Sequence, residues 1–61
     1  MTPAELKTAR ARLGLSQRAL GEALGGYHTV SVCRWERGHR TIPLAVAVLI
    51  ERMVKDLRQP H

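Results

Sequence analysis

Apolar residues recur along this chain at intervals of three and four, the spacing that puts side chains on one face of an α-helix. In the first segment the apolar stripe consists of Leu6, Ala9 and Leu13. The preceding residues, Thr2 to Glu5, form a helix-start signature: a capping threonine, a proline suited to the first helical position, and an acid for a capping box. Gly14 supplies a left-handed residue after the stripe. The pattern predicts a first helix over residues 3–13.

A second apolar pattern follows Ser16, which is a good N-cap residue. Its buried side would carry Ala19, Leu20, Ala23 and Leu24. The pair Gly25-Gly26 then stops the helix, which we predict over residues 17–24. Helices this short are not stable alone in water, so this one must pack against other parts of the chain.

A third helix is predicted over residues 29–37, beginning at His28 or Thr29 and ending before Gly38. Val32 and Trp35 would face the core, with Glu36 at the edge of the same side. The opposite side would expose Val30, Cys33, Arg34 and Arg37. Apolar groups gain nothing from exposure unless a partner covers them, so this side is predicted to be a contact surface.

Pro43 opens a fourth predicted helix over residues 43–58. One broad face of it is predicted to close the core with Val46, Leu49, Ile50, Met53, Val54 and Leu57. Leu44 and Val48 lie on roughly the opposite side, where a second copy of the chain could cover them. Residues 59–61 are predicted to form a frayed tail.

The length and composition predict one all-α domain over residues 1–58, a compact bundle of four helices. A chain of 61 residues buries only about 60% of its unfolded surface, so its helices must pack tightly. The lone cysteine, Cys33, excludes an internal disulfide and favours a reducing compartment. The apolar run 42–50 is too short to span a bilayer and no leader opens the chain, so we expect a cytoplasmic protein without a membrane anchor.

The chain is strongly basic, with ten Lys and Arg residues against five acidic ones and a net charge of +5. This excess predicts attraction to polyanions, either nucleic acid or anionic lipid. The densest positive stretch is residues 31–40, which hold Arg34, Arg37 and Arg40 against one glutamate. Basic residues spread through a globular pattern do not favour a membrane-surface peptide.

Two short helices joined by a glycine-containing turn, the second with a basic outer face, form a helix-turn-helix arrangement. The stretch 13–38, with LGLSQ, a later LG and VCRWERG, resembles the Cro/C1-type (XRE) helix-turn-helix repressors, and the likeness covers about residues 4–50. It implies a lambda-repressor-like fold that binds double-stranded DNA with helix 29–37 in the major groove. The chain departs from the family in its Gly25-Gly26 turn, which is predicted to be one residue longer, and in ending after four helices.

The outer side of the third helix holds the residues expected to read bases. The fork of Arg34 matches guanine O6 and N7, although a phosphate contact is the alternative. Thr29 suits a backbone or base hydroxyl contact, and Val30 suits a thymine methyl or a packing contact with the second helix. Cys33 is expected either to touch a thymine methyl or to be an ordinary small apolar side chain. Its spacing from the histidines supports no metal site.

The expected phosphate contacts flank this helix: Ser16, Gln17, Arg18, His28, Arg37, His39 and Arg40. Ser16 and Gln17 lie at the start of the second helix, where free N–H groups attract a phosphate. The basic residues would release counterions and so supply affinity, unless they belong to a merely solvated loop. Trp35 is expected in the core, and the family resemblance implies an Arg10–Glu36 ion pair that fixes the third helix against the first.

Together these expectations describe a transcriptional regulator, a repressor or autoregulator that binds a palindromic operator as a homodimer. Leu44 and Val48 are the expected contacts between its two copies. Phage and prophage control proteins, including the small autoregulators that accompany anti-CRISPR genes, are similar in size and motif. The alternative is an antitoxin or another protein-interaction module with the same fold. No paired carboxylates or nucleophile-base pair suggests an enzyme, and no cofactor, metal or small-molecule ligand is expected.

Overall fold

The computed structural model describes residues 1–58, and the regular structure of this part consists of four helices. These are α1 (Pro3–Leu13), α2 (Gln17–Ala23), α3 (Thr29–Glu36) and α4 (Leu44–Arg58). The all-α prediction is confirmed, and each predicted helix end lies within one residue of the observed one. The tail 59–61, predicted to fray, lies outside the described residues. None of the four helices is long and apolar enough to cross a bilayer.

The starts of α1 and α2 are fixed by the side chains that the sequence indicates. The backbone N–H of Thr2 donates to Glu5 Oε1 at 2.8 Å, and the N–H of Glu5 donates to Thr2 Oγ1 at 3.1 Å, which completes the capping box. Ser16 Oγ accepts from the N–H of Ala19 at 3.0 Å. Each cap stabilises its helix by about 1 kcal/mol.

The end of α3 is a Schellman turn built on Gly38. Its φ of 77° is in the left-handed region that favours glycine. The Gly38 N–H donates to the Trp35 carbonyl at 3.2 Å, and the His39 N–H donates to the Arg34 carbonyl at 2.9 Å. The left-handed residue predicted after α1, Gly14, is also present, with φ 68°. The chain therefore leaves α3 in a fixed direction toward the loop before α4.

The core is one apolar cluster to which every helix contributes. Leu6 of α1, Leu20 of α2, Val32 of α3 and Ile50 of α4 are all fully buried. Trp35 is 4% exposed, as predicted for a core residue. α1 packs against both α3 and α4, and α2 packs against α3. Full burial of each large aliphatic side chain stabilises the fold by about 1.5–3 kcal/mol, so the bundle depends on these few residues.

The predicted core face of α4 is wrong at two positions. Val46 and Ile50 are buried, but Leu49 is 42% and Leu57 is 60% exposed. The core side of α4 is centred nearer Ala47, which is buried, so Leu49 falls at the edge of the packed arc. Leu57 lies one turn beyond the partly buried layer of α4, where the described part of the chain offers it no apolar cover.

Candidate nucleic-acid interface

The outer side of α3 is open to solvent along its length. Val30 is 57% exposed, and Thr29, Arg34 and Arg37 are exposed as well. Cys33 differs from the prediction, because it is half-buried at the flank of this side instead of lying fully on it. The buried Val32 and Trp35 hold the helix from behind, so the exposed side chains point away from the core.

An ion pair between Arg10 of α1 and Glu36 of α3 fixes the orientation of α3. Arg10 Nε donates to Glu36 Oε2 at 2.6 Å, and Arg10 Nη2 donates to Glu36 Oε1 at 3.1 Å. This is the pair that the family resemblance implies. Arg10 Nη1 also donates to the Leu15 carbonyl at 3.1 Å, so one guanidinium joins α1, the following turn and α3.

The surroundings of Glu36 keep this pair ionised. Burial raises the pKa of Glu36, but hydrogen bonds from Arg10 and Gln17, with the positive charges of Arg10 and Lys7, outweigh it and lower the pKa below 4.5. The hydrogen bond to Glu36 raises the pKa of Arg10 in turn. Both side chains are therefore charged at neutral pH.

Gln17 belongs to the same network. Its Nε2 donates to Glu36 Oε1 at 3.2 Å, and its side chain is half-buried. The start of α2 is thereby tied to the end of α3 through the residue that the sequence predicts as a phosphate contact. Arg18, the next candidate, pairs with Glu22 at 3.3 Å on the surface, where both side chains are more than two-thirds exposed. Such a pair is worth about 0–1 kcal/mol and leaves Arg18 free to exchange partners.

The approach of α2 to the turn before α3 depends on Gly21, which the sequence predictions did not single out. A Cβ placed on Gly21 would lie 2.2 Å from the carbonyl oxygen of Tyr27. The Gly21 carbonyl accepts from the N–H groups of Gly26 and Tyr27 at 3.1 and 3.0 Å. The sequence does hold a signal for this contact, because an isolated glycine within a helical pattern weakens the helix. Its presence there indicates close packing against another part of the chain.

Tyr27 is the second residue that the predictions missed. Its ring meets that of Trp35 edge-on, with centroids 5.1 Å apart and an interplanar angle of 65°. Trp35 is buried, whereas Tyr27 is 39% exposed. The pair links the core to the surface next to α3, and such contacts contribute about 0.5–1.5 kcal/mol beyond burial.

The remaining phosphate candidates lie at the two ends of α3. His28 is its N-cap residue and makes no side-chain capping bond. Arg37 is the C-cap residue, and His39 and Arg40 follow in the loop after Gly38. All four side chains are exposed. The structure thus brings basic groups together at both ends of the open side of α3.

A comparison with protein families decides the membership of the chain. The family described as helix-turn-helix matches residues 6–55, which is most of the sequence. The chain belongs to the Cro/C1-type (XRE) helix-turn-helix family. Searches of curated proteins and of solved structures give no match.

In this XRE protein the helix-turn-helix unit is α2, the turn through Tyr27, and α3. Family membership gives it a DNA-binding function of the transcription-regulator type, with double-stranded DNA as its partner. The Arg10–Glu36 pair holds this unit against α1, and the Gln17 amide and the Gly21 contact are polar and packing interactions within it.

Proposed function

We propose that this XRE protein is a cytoplasmic transcriptional repressor that binds a palindromic operator as a homodimer, with α3 in the major groove. The observation that carries the proposal is the open side of α3, where Val30, Arg34 and Arg37 are exposed while the opposite side is anchored by Trp35 and Glu36. The major groove of B-DNA admits one α-helix, so an exposed helix with basic and apolar side chains suits it.

In this proposal, base identity is read by the side chains at the middle and start of α3. Arg34 donates two hydrogen bonds to a guanine, which is worth about 1–3 kcal/mol of discrimination against other bases. Thr29 contacts a neighbouring base through its hydroxyl, and Val30 contacts the methyl group of a thymine. Cys33, half-buried beside them, lies at the flank of this reading surface.

Affinity in this proposal comes from contacts to the DNA backbone on both sides of α3. The residues involved are Ser16, Gln17, Arg18, His28, Arg37, His39 and Arg40. Each phosphate that a lysine or arginine neutralises releases counterions and steepens the dependence of the affinity on salt. These contacts act on every duplex alike and therefore add strength without sequence preference.

The test of this function is selection of bound sites from random duplexes, with the stoichiometry of the complex measured by analytical ultracentrifugation. We expect an enriched inverted repeat whose half-sites lie about one helical turn apart, bound by two chains. Enrichment of no sequence, or of a single half-site bound by one chain, would contradict the proposal.

Three alanine variants separate base reading from backbone binding on the selected operator. Arg34→Ala should lose about tenfold or more of its preference for one base pair per half-site. Arg40→Ala should weaken all duplexes similarly and reduce the salt slope by about one. Arg12→Ala is the matched control, because it removes the same charge from the groove between α1 and α4. Equal effects of Arg34→Ala on operator and random DNA would refute the assignment of base reading.

The homodimer is proposed to form through the start of α4. Leu44 is 80% and Val48 56% exposed, one turn apart on the same side of the helix. Symmetric pairing of two copies would cover them and double the number of bases read. Val48→Asp should abolish cooperative binding to the inverted repeat, whereas Leu57→Asp, at an equally exposed leucine near the other end of α4, should not. Dimers that persist in Val48→Asp would place the interface elsewhere.

A further inference from the structure

A cleft of about 310 Å³ lies beside α3, between that helix and the loop that follows it. Its wall includes Tyr27 from the turn, Ser31 and Arg34 from α3, and Arg40 and Thr41 from the loop. Three of these residues, those with hydroxyl groups, have no part in the function proposed so far. The cleft therefore adds three hydroxyl-bearing residues to the surface around Arg34.

The chemistry of the cleft is that of an anion site. In the part of the chain that the structure describes, two arginines and three residues with hydroxyl groups line it, and no acidic residue does. Within residues 1–58, the ion pairs of the structure involve other arginines, so Arg34 and Arg40 have no acidic partner there. The positive charge of Arg40, with that of Arg34 on the same cleft, attracts an anion. Arginine with hydroxyl donors is a combination that recognises phosphate oxygens.

The backbone on both sides of the cleft is held in place. The ring of Tyr27 rests edge-on against the buried Trp35, and its backbone is held by the Gly21 carbonyl. Arg40 follows the Schellman turn at Gly38, which sets the direction of the loop. A ligand that enters a preformed site avoids much of the ordering cost of binding.

We propose that this cleft is a phosphate-binding site that receives one backbone phosphate of DNA next to the base pair read by Arg34. The inference rests on the proposed function and deepens it, because it adds Tyr27, Ser31 and Thr41 to Arg40 as the contacts of that phosphate. Holding this one phosphate fixes the register of α3 in the groove and so places Arg34 opposite its base.

The experiment uses the selected operator with a single neutral methylphosphonate linkage placed at each position in turn. For the wild-type chain, several linkages per half-site should lower the affinity, and the linkage beside the base pair read by Arg34 should lower it by at least about tenfold, the equivalent of a lost hydrogen bond to a charged group. Arg40→Ala should bind more weakly but lose little further affinity at that linkage. Arg12→Ala, with the same loss of charge, should keep the wild-type profile.

Tyr27→Phe isolates the hydroxyl from the structural role of the ring, since phenylalanine preserves the edge-on contact with Trp35. This variant should keep the wild-type thermal midpoint and show a reduced loss at the same linkage. An unchanged methylphosphonate profile in both Arg40→Ala and Tyr27→Phe would overturn the proposal. An unchanged profile in Tyr27→Phe alone would overturn the part assigned to its hydroxyl.

A second arm distinguishes a DNA phosphate from a free phosphorylated ligand. Inorganic phosphate is titrated into the DNA-free chain while the backbone amide resonances of Tyr27, Ser31 and Thr41 are followed by NMR. Absence of saturable shifts, together with the methylphosphonate effect, supports the DNA phosphate; saturable binding without that effect would assign the cleft to a free ligand and overturn the proposal. Failure to enrich any operator refutes the proposed function itself, whereas an operator whose linkage profile is the same for the wild type, Arg40→Ala and Tyr27→Phe refutes only the cleft.

Discussion

Removing Arg10 should destabilise this domain more than removing its partner Glu36. In Arg10→Ala, the Glu36 carboxylate, which is 3% exposed while Arg10 covers it, keeps Gln17 as its one side-chain donor among residues 1–58. In Glu36→Ala, the Arg10 side chain is 22% exposed and keeps its bond to the Leu15 carbonyl. The two single variants therefore leave charges of very different accessibility behind.

The magnitudes follow from this difference in burial. Leaving one charge of a fully buried pair without its partner costs about 3–5 kcal/mol; this pair is part-buried, so we expect Arg10→Ala at the lower end, about 3–4 kcal/mol. A partly exposed guanidinium recovers some hydration, so Glu36→Ala should cost about 2–3 kcal/mol, nearer the value of hydrogen bonds to a charged group. A domain of this size has about 3–9 kcal/mol of total stability, so Arg10→Ala should lose a large part of it.

The assay is urea unfolding followed by circular dichroism, with the double variant Arg10→Met/Glu36→Leu as the control. Replacing a buried pair by apolar side chains of similar size is neutral or stabilising, so the double variant should be more stable than either single variant. Additive losses in the double variant, or a loss below about 1 kcal/mol in Arg10→Ala, would refute the reasoning, because surface pairs contribute that little.

Acid should reveal the same interaction through its pH dependence. The pKa of Glu36 is lowered in the folded chain, so its contribution to the free energy of unfolding is complete above the ordinary value of 4.5 and is lost as the pH falls through the folded pKa. In Arg10→Ala, burial opposes ionisation with little compensation, which raises the pKa of Glu36. The urea midpoint of this variant should therefore begin to fall at a higher pH than that of the wild type.

Three further substitutions test the packing. Gly21→Ala should lower the free energy of unfolding by about 1–3 kcal/mol despite the better helix propensity of alanine, because its Cβ would meet the Tyr27 carbonyl; a higher thermal midpoint would contradict this. Ser16→Ala removes the cap on Ala19 and should cost about 1 kcal/mol in urea unfolding, and no change would mean that the cap is dispensable. Leu57→Gln should change stability by less than about 0.5 kcal/mol, and a large loss in calorimetry would show that the side chain is covered after all.

The helix boundaries could be predicted because their determinants are local. The hydroxyl of Ser16 and the capping box of Thr2 and Glu5 act within one turn, so the residue types alone indicate where α2 and α1 begin. The stripe that contains Val32 and Trp35 is likewise a property of consecutive residues. The ion pair of Arg10 with Glu36 crosses 26 positions, and the family resemblance was needed to expect it.

The errors arise where tertiary geometry decides. Periodicity assigns Leu57 to a core face because it treats α4 as if the core extended along its whole length, but the apolar cluster ends at Met53 and Val54. Leu49 is exposed for another reason, because the packed arc of α4 is centred nearer Ala47. The Gly21 contact depends on how the chain turns back through Tyr27, which no hydrophobic pattern encodes. The cleft beside α3 arises in the same way, from the loop folding against the helix.

The contact between Tyr27 and Trp35 gives the protein a built-in optical probe. The chain has one tryptophan and one tyrosine, and their rings touch. Excitation of the tyrosine should transfer to the tryptophan most efficiently while the two rings are held together. Because the tyrosine borders the cleft and the tryptophan lies behind it, emission from this pair can follow both unfolding and duplex titration without an attached dye.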